Sequence, residues 1–82
     1  MDNKVIKIND FLKKYKTNVN FASKDSFQEI EFSENQKVKA NSWIIHERDG
    51  VTEVWVLTIM DNKISKLSLF ARDKDSDTWI ES

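Results

Sequence analysis

The octapeptide EVWVLTIM, residues 53–60, constrains the fold of this chain most strongly. Its β-branched and aromatic residues are typical of a β-strand, in which successive side chains point to opposite faces of the sheet. Here both faces are apolar. One face receives Val54, Val56 and Met60, and the other receives Trp55, Leu57 and Ile59. A chain of 82 residues has little material to cover both faces, so the strand predicts a second covering layer or a surface for a partner.

Turn signals on either side of this strand predict a β-meander. Asp49-Gly50 is typical of a two-residue type I′ hairpin turn, and Asp61-Asn62 marks a second turn. A looser turn falls at residues 73–77. We therefore expect strands near residues 42–48, 51–60, 63–72 and 78–81.

The first half of the chain carries weaker signals. Asn9-Asp10 predicts the start of a short helix that buries Phe11, Leu12 and Tyr15 and ends near Thr17-Asn18. Residues 19–32 are predicted to be extended.

Residues 33–41 allow two interpretations. Ser33-x-x-Gln36 fits a capping box that would open a second short helix, and the same residues can also extend a strand. The predicted fold class is α+β: one domain over residues 1–82, with an antiparallel β-meander of about five strands and one or two short helices.

The hairpin turns also predict the register of the strands. Asp49-Gly50 pairs Ile44 with Trp55, while Asp61-Asn62 pairs Trp55 with Ser68 and Glu53 with Phe70. The expected core face comprises Trp43, Ile45, Val54, Val56, Leu67, Leu69 and Ala71. The second face comprises Ile44, Trp55, Leu57, Ile59, Ile64 and Phe70, mixed with His46, Glu53, Lys66 and Ser68. We interpret this second face as a binding surface, because an uncovered apolar patch of a few hundred Å² marks interaction sites.

Composition argues against several classes of function. The chain has no cysteine and one histidine, so neither disulfides nor a zinc site is expected. His46 opposite Glu53 is the one predicted acid–histidine pair, and no nucleophile is predicted beside it, so we expect no enzyme activity and no cofactor. With no apolar run of ~18 residues and no signal peptide, the expected location is cytoplasmic, without membrane association.

Charge is unevenly distributed along the chain, although the net charge is −1. Lysines concentrate in residues 4–16, and we expect no direct nucleic-acid binding, because no basic stripe continues elsewhere. Residues 25–36 carry four acids and no base, namely Asp25, Glu29, Glu31 and Glu34. This acidic run is either solvated surface or a face for a basic partner.

Several segments of the chain together resemble the phage uracil-DNA glycosylase inhibitor family. NDFLKKYKTNVNFASKDSF resembles that family's opening helix and first strand. WIIHERDG, EVWVLT and LSLFARDKDSDTWI resemble its last four strands in order and approximate spacing. Members of the family mimic DNA. Their acidic first strand enters the enzyme's DNA groove, and an apolar pocket between the second helix and the sheet receives a leucine-bearing loop of the enzyme.

The resemblance implies partner-binding roles for particular residues. Asp25, Ser26 and Phe27 fall where the family has its first-strand motif. Glu29, Glu31 and Glu34 would be supporting acids, and Trp55, Leu57 and Phe70 fall at or near pocket-lining positions. Ile44 joins them through its place on the second face. The expected partner is a host uracil-DNA glycosylase, or another nucleic-acid-binding protein, in the host cytoplasm. The alternatives are a small phage or mobile-element inhibitor of another host protein, and a homodimeric regulatory protein.

Overall fold

Two β-sheets and one helix make up the described part of the molecule. The computed structural model describes residues 5–14, 19–22 and 27–82. In chain order its elements are β1 (Val5–Lys7), α1 (Ile8–Lys14), β2 (Val19–Ala22), β3 (Gln28–Ser33), β4 (Gln36–Ala40), β5 (Ser42–Arg48), β6 (Val51–Met60), β7 (Lys63–Asp73) and β8 (Ile80–Glu81). A three-stranded sheet has the order β1-β3-β4, and a five-stranded sheet has the order β2-β5-β6-β7-β8.

The predicted meander is confirmed as strands β5 to β8. Both predicted hairpin turns have the primed geometry, with positive φ at Asp49 (52°) and Gly50 (77°), and at Asp61 (53°) and Asn62 (63°). Such turns match the right-handed twist of the strands that they join. The predicted pairing of Ile44 with Trp55 is also confirmed.

The five-stranded sheet has the predicted number of strands, but the prediction missed a second sheet of three strands, which the first half of the chain builds. Residues 36–40 form strand β4, not a second helix. Ser33 and Gln36 do meet, but across a hairpin turn: the Ser33 hydroxyl donates to Oε1 of Gln36 at 3.0 Å. In β4 the apolar Val38 and Ala40 alternate with lysines, which is the period of a strand. At the coarse level the molecule is a small, mostly antiparallel, sheet-rich domain with one short helix, compatible with α+β.

Helix α1 begins at Ile8, before the predicted cap. Asp10 therefore lies in the first turn, where its negative charge interacts favourably with the helix dipole. Ile8 and Leu12 are buried and Phe11 is partly buried, as an amphipathic helix requires. The predicted helix end near Thr17-Asn18 and the burial of Tyr15 lie outside the described residues.

The hydrophobic core lies between the three-stranded sheet with α1 on one side and the five-stranded sheet on the other. Its buried members are Ile8, Leu12, Ile30, Phe32, Ala40, Trp43, Ile45, Val54, Val56, Phe70 and Trp79. Three aromatic rings join the layers: Phe32 stacks on Phe70 with centroids 3.9 Å apart, and Trp79 meets Phe32 edge-on at 5.2 Å. Such pairs add about 0.5–1.5 kcal/mol each beyond the area they bury. Trp79 thereby fixes the C-terminal segment to both sheets.

A β-bulge corrects the predicted register of β6 and β7. Ile59 pairs with Ile64, but Thr58 pairs with Lys66, so the register skips Ser65. From there on every pair is shifted by one residue, and Trp55 lies opposite Leu69, not Ser68. A one-residue shift exchanges the two faces of a strand.

The shift moves Phe70 into the core, opposite Val54 and 1% exposed, so its predicted place on the second face was wrong. The stacking of Phe70 on Phe32 supplies the physical reason. Leu67, Leu69 and Ala71 correspondingly leave the expected core for the second face. Lys66 and Ser68, opposite Thr58 and Val56, leave the second face.

Candidate binding face

The five-stranded sheet has one face that turns away from the core, which we call the open face. The observed pairing places on it the apolar residues Ile44, Val51, Trp55, Leu57, Ile59, Ile64, Leu67, Leu69, Ala71 and Ile80. Four of them are prominently exposed: Ile44 (37%), Leu67 (53%), Ile64 (58%) and Ile80 (67%). The others are partly buried. Of the predicted partner-binding residues, Ile44, Trp55 and Leu57 are brought together here.

Among the described residues, no helix or strand packs on the open face. Helix α1 contacts β1 and β3, and the three-stranded sheet lies on the core side. The alternation along β6 shows the division clearly, because Thr52, Val54, Val56 and Thr58 are buried, whereas the residues between them are only partly so. In the described part of the chain, the apolar side chains of the open face are therefore not covered by another helix or strand.

His46 and Glu53 form the polar margin of the open face. The predicted cross-strand pair is confirmed, with His46 Nδ1 and Glu53 Oε1 3.5 Å apart and side chains 36% and 29% exposed. Partly exposed pairs of this kind contribute about 0–1 kcal/mol. The arrangement is that of an ordinary cross-strand contact, and it leaves the apolar residues toward the β6–β7 turn uninterrupted.

The outer edge of β7 is protected, in contrast to the open face. Strand β8 pairs with Phe70 and Ala71, and Ser82 N donates to the Leu69 carbonyl at 2.9 Å, so the described pairing of this edge stops at Leu69. The remaining edge carries Lys63, Lys66 and the bulge. Lysines and bulges are the usual means by which a sheet edge is kept from adding strands of another molecule. Contact with another protein is therefore expected on the face, not along this edge.

The predicted acidic residues lie on the opposite side of the molecule. Glu29 and Glu31 alternate with the buried Ile30 in β3, so they point away from the core on the outer side of the three-stranded sheet. Lysines flank them: Lys39 lies opposite Glu29, and Lys37 and Lys7 lie on either side of Glu31, as the register shows. Opposite charges at paired positions attract each other. The surface around Glu29 and Glu31 is consequently mixed in charge, and the core separates it from the open face.

The remaining predicted partner-binding residues are less informative. Glu34 is exposed in the turn between β3 and β4. Phe27 directly precedes β3 and is 36% exposed. Asp25 and Ser26 lie outside the described residues.

Comparison of the chain with protein-family models, with curated proteins and with solved structures finds no match. Within the described ranges no helix is long and apolar enough to cross a membrane. The functional argument therefore depends on the chain's own residues, and above all on the open face.

Proposed function

We propose that this protein is a non-catalytic binding protein that controls another protein by docking on it through the open face. The exposed apolar set around Trp55 is the observation that carries the proposal. Large apolar patches are uncommon on proteins that act alone, and aromatic residues with few charges are typical of interface centres. Trp55 is the expected anchor, because replacing an interface tryptophan with alanine is among the substitutions that weaken binding most.

As target we propose a uracil-DNA glycosylase, or another nucleic-acid-binding protein, in the host cytoplasm. Two features support this target. After β1 the chain proceeds from a short helix through extended segments to a four-stranded meander, which is the order that the resemblance implies apart from its second helix. Ile44, Trp55 and Leu57 meet on one surface, where an apolar loop of an enzyme can pack.

The proposed contact differs from the one that the resemblance implies. A pocket beneath a second helix is not available at residues 36–40, which form β4, so the apolar loop would pack directly on the sheet. The lysines beside Glu29 and Glu31 weaken the negative potential that a DNA groove would recognise. We therefore propose that apolar contact, with little help from Glu29 and Glu31, carries the inhibition.

A uracil-excision assay tests the target. Bacterial uracil-DNA glycosylase acts on a uracil-containing duplex while the protein is titrated. Stoichiometric loss of activity is the expected result. Full activity with the protein at about 100 µM would exclude this enzyme as the target, since even a complex with a micromolar dissociation constant would then be populated.

Two variants test the surface. Trp55→Ser should weaken inhibition by about 30-fold or more, which corresponds to the ~2 kcal/mol of an interface hot spot. Lys66→Ser is the matched control, because Lys66 is exposed on the neighbouring strand but lies off the open face. The double variant Glu29→Lys, Glu31→Lys should change inhibition little. A strong effect of the charge reversal with none of Trp55→Ser would move the binding surface to the three-stranded sheet.

A further inference from the structure

We infer that a second copy of this chain covers the open face when no target is bound, so that the free protein is a homodimer. The dimer would mask the surface that the target needs. That regulatory consequence rests on the proposed function, whereas the dimer itself rests on the open face alone.

The composition of the open face resembles that of a homodimer interface. Its centre, Trp55, Leu57, Leu67 and Leu69, carries no charge, and the pair His46–Glu53 lies toward one end. Depletion of charge at the centre is typical of homodimer interfaces, which are more apolar than those of partners that come and go. Another copy of the chain is the occupant that is present whenever the protein is.

The size of the face suits a small dimer. Five strands spaced about 4.8 Å apart, with about seven residues each at about 3.4 Å, give a face of roughly 24 by 24 Å, or about 600 Å² in projection. Specific interfaces begin near 500 Å² per partner and commonly reach about 800 Å². The face therefore supplies enough area for a dimer, with dissociation in the micromolar range expected for a contact at the lower end of this class.

The protected edge of β7 favours a closed dimer over an open-ended assembly. Addition of strands along an edge can continue from copy to copy, but Lys63, Lys66 and the bulge oppose it. Two sheets packed face to face about 10 Å apart use up the open face of both copies. A two-fold contact of this kind leaves no equivalent surface for a third copy.

The test is sedimentation velocity on the full chain over a range from about 1 to about 200 µM, which spans the expected dissociation constant. The expected mass rises from 9.7 kDa to about twice that value. Tryptophan emission should shift to shorter wavelength over the same range. Trp55 enters the interface on dimerisation, whereas Trp43 and Trp79 are already buried in the core.

Two lysine variants provide a matched comparison. Leu67 and Val5 are each 53% exposed and each lies in a strand, but Leu67 is on the open face and Val5 is in β1 of the other sheet. Leu67→Lys should weaken the dimer at least 30-fold, and Val5→Lys should leave it unchanged. Ile64→Lys, at a position 58% exposed, repeats the test in case Leu67→Lys does not fold, and circular dichroism checks folding of all variants.

Three outcomes would overturn the inference: a wild-type monomer at the highest concentration, equal weakening by Leu67→Lys and Val5→Lys, or growth beyond a dimer. Its failure is distinguishable from failure of the proposed function. A monomer that still inhibits its target refutes the dimer alone. If the wild type forms a dimer that Leu67→Lys disrupts, but the wild type inhibits no uracil-DNA glycosylase, the dimer is supported and the proposed target is excluded.

Discussion

Replacing Asn41 with alanine removes a side-chain amide that takes the place of backbone hydrogen-bond partners beyond the start of β5. Strand β5 begins at Ser42, so Ile59 in β6 lies beyond the backbone partners that β5 provides. Asn41 Nδ2 donates to the Ile59 carbonyl at 2.8 Å, and the Ile59 N–H donates to Asn41 Oδ1 at 2.9 Å. Asn41 is 1% exposed, at the crossover between the two sheets. The amide thus completes the ladder of β6 beside the residue where the β7 register shifts.

The magnitude follows from these two bonds. A hydrogen bond contributes about 1 kcal/mol net, and leaving a partner unsatisfied adds to the cost, so Asn41→Ala should lower the free energy of unfolding by about 2–3 kcal/mol. For 82 residues the total is expected to be about 4–12 kcal/mol. The variant should therefore lose between about a sixth and about three quarters of the stability, with a fall in Tm on the order of 10 °C.

Urea denaturation followed by circular dichroism measures this loss. Both proteins are compared at one concentration near 1 µM, because self-association would otherwise add to the apparent stability. The midpoint should fall while the slope m stays unchanged. Asn35→Ala is the control: Asn35 is exposed in the turn between β3 and β4, and the change should stay within about 0.5 kcal/mol. Equal stability of Asn41→Ala and wild type would refute the assigned role of the amide.

Three further predictions can be checked by the same denaturation measurement. Trp79→Ala should lower the free energy of unfolding by about 3–5 kcal/mol, because Trp79 is 2% exposed in the core. Ile80→Ala, at a position 67% exposed, should lower it by less than about 0.5 kcal/mol. Similar losses would contradict the division between core and open face. Gly50→Ala should lower the free energy of unfolding by about 1 kcal/mol, because φ is +77° at this position. The strain is in the backbone alone, since the new Cβ would lie at an ordinary contact distance of 3.5 Å from Lys74 Cδ. A gain in stability would contradict the turn geometry. His46→Ala should change stability by less than about 1 kcal/mol, and a larger loss would show that the pair with Glu53 is more than an exposed contact.

The meander could be predicted from sequence because its determinants are local. Asp49, Asp61 and Asn62 tolerate positive φ because of their short polar side chains, and Gly50 because it has no side chain, while the strand between the two turns is rich in β-branched and aromatic residues. The pairing of β5 with β6 followed directly, since the turn fixes the register and no bulge interrupts it. Ile44, Trp55 and Leu57 were placed together for this reason.

The register of β7 could not be predicted in this way, because its cause is distant in the sequence. Phe70 stacks on Phe32, and the bulge at Ser65 brings it to that side of the sheet. The sequence did contain one hint: Phe70 is the bulkiest apolar residue of its strand, and the predicted register left it outside the core. Leu67 and Leu69 were missed as members of the open face for the same reason, whereas Ile80 was missed because no register was predicted for the last strand.

The choice between helix and strand at residues 33–41 was also decided by distant contacts. Ser33 and Gln36 satisfy a capping pattern, but Gln36 Nε2 donates to the Trp79 carbonyl at 3.0 Å, and Ile30 lies opposite Val38. A hairpin that buries Val38 against the core is favoured over a helix with little apolar surface. Likewise, residues 25–36 carry only acidic charges along the sequence, but lysines lie beside Glu29 and Glu31 in the sheet.

The open face exists in the form described only if Leu67 and Leu69 share it with Trp55. Proton NMR of the labelled protein tests this placement most directly, because Cα atoms of paired residues that do not exchange hydrogen bonds lie only about 4.5 Å apart, which brings their α-protons into contact. The bulged register predicts nuclear Overhauser effects from Trp55 Hα to Leu69 Hα and from Leu57 Hα to Leu67 Hα. A contact from Trp55 Hα to Ser68 Hα in their place would return Phe70 to the open face. It would remove Leu67 and Leu69 from the proposed binding surface.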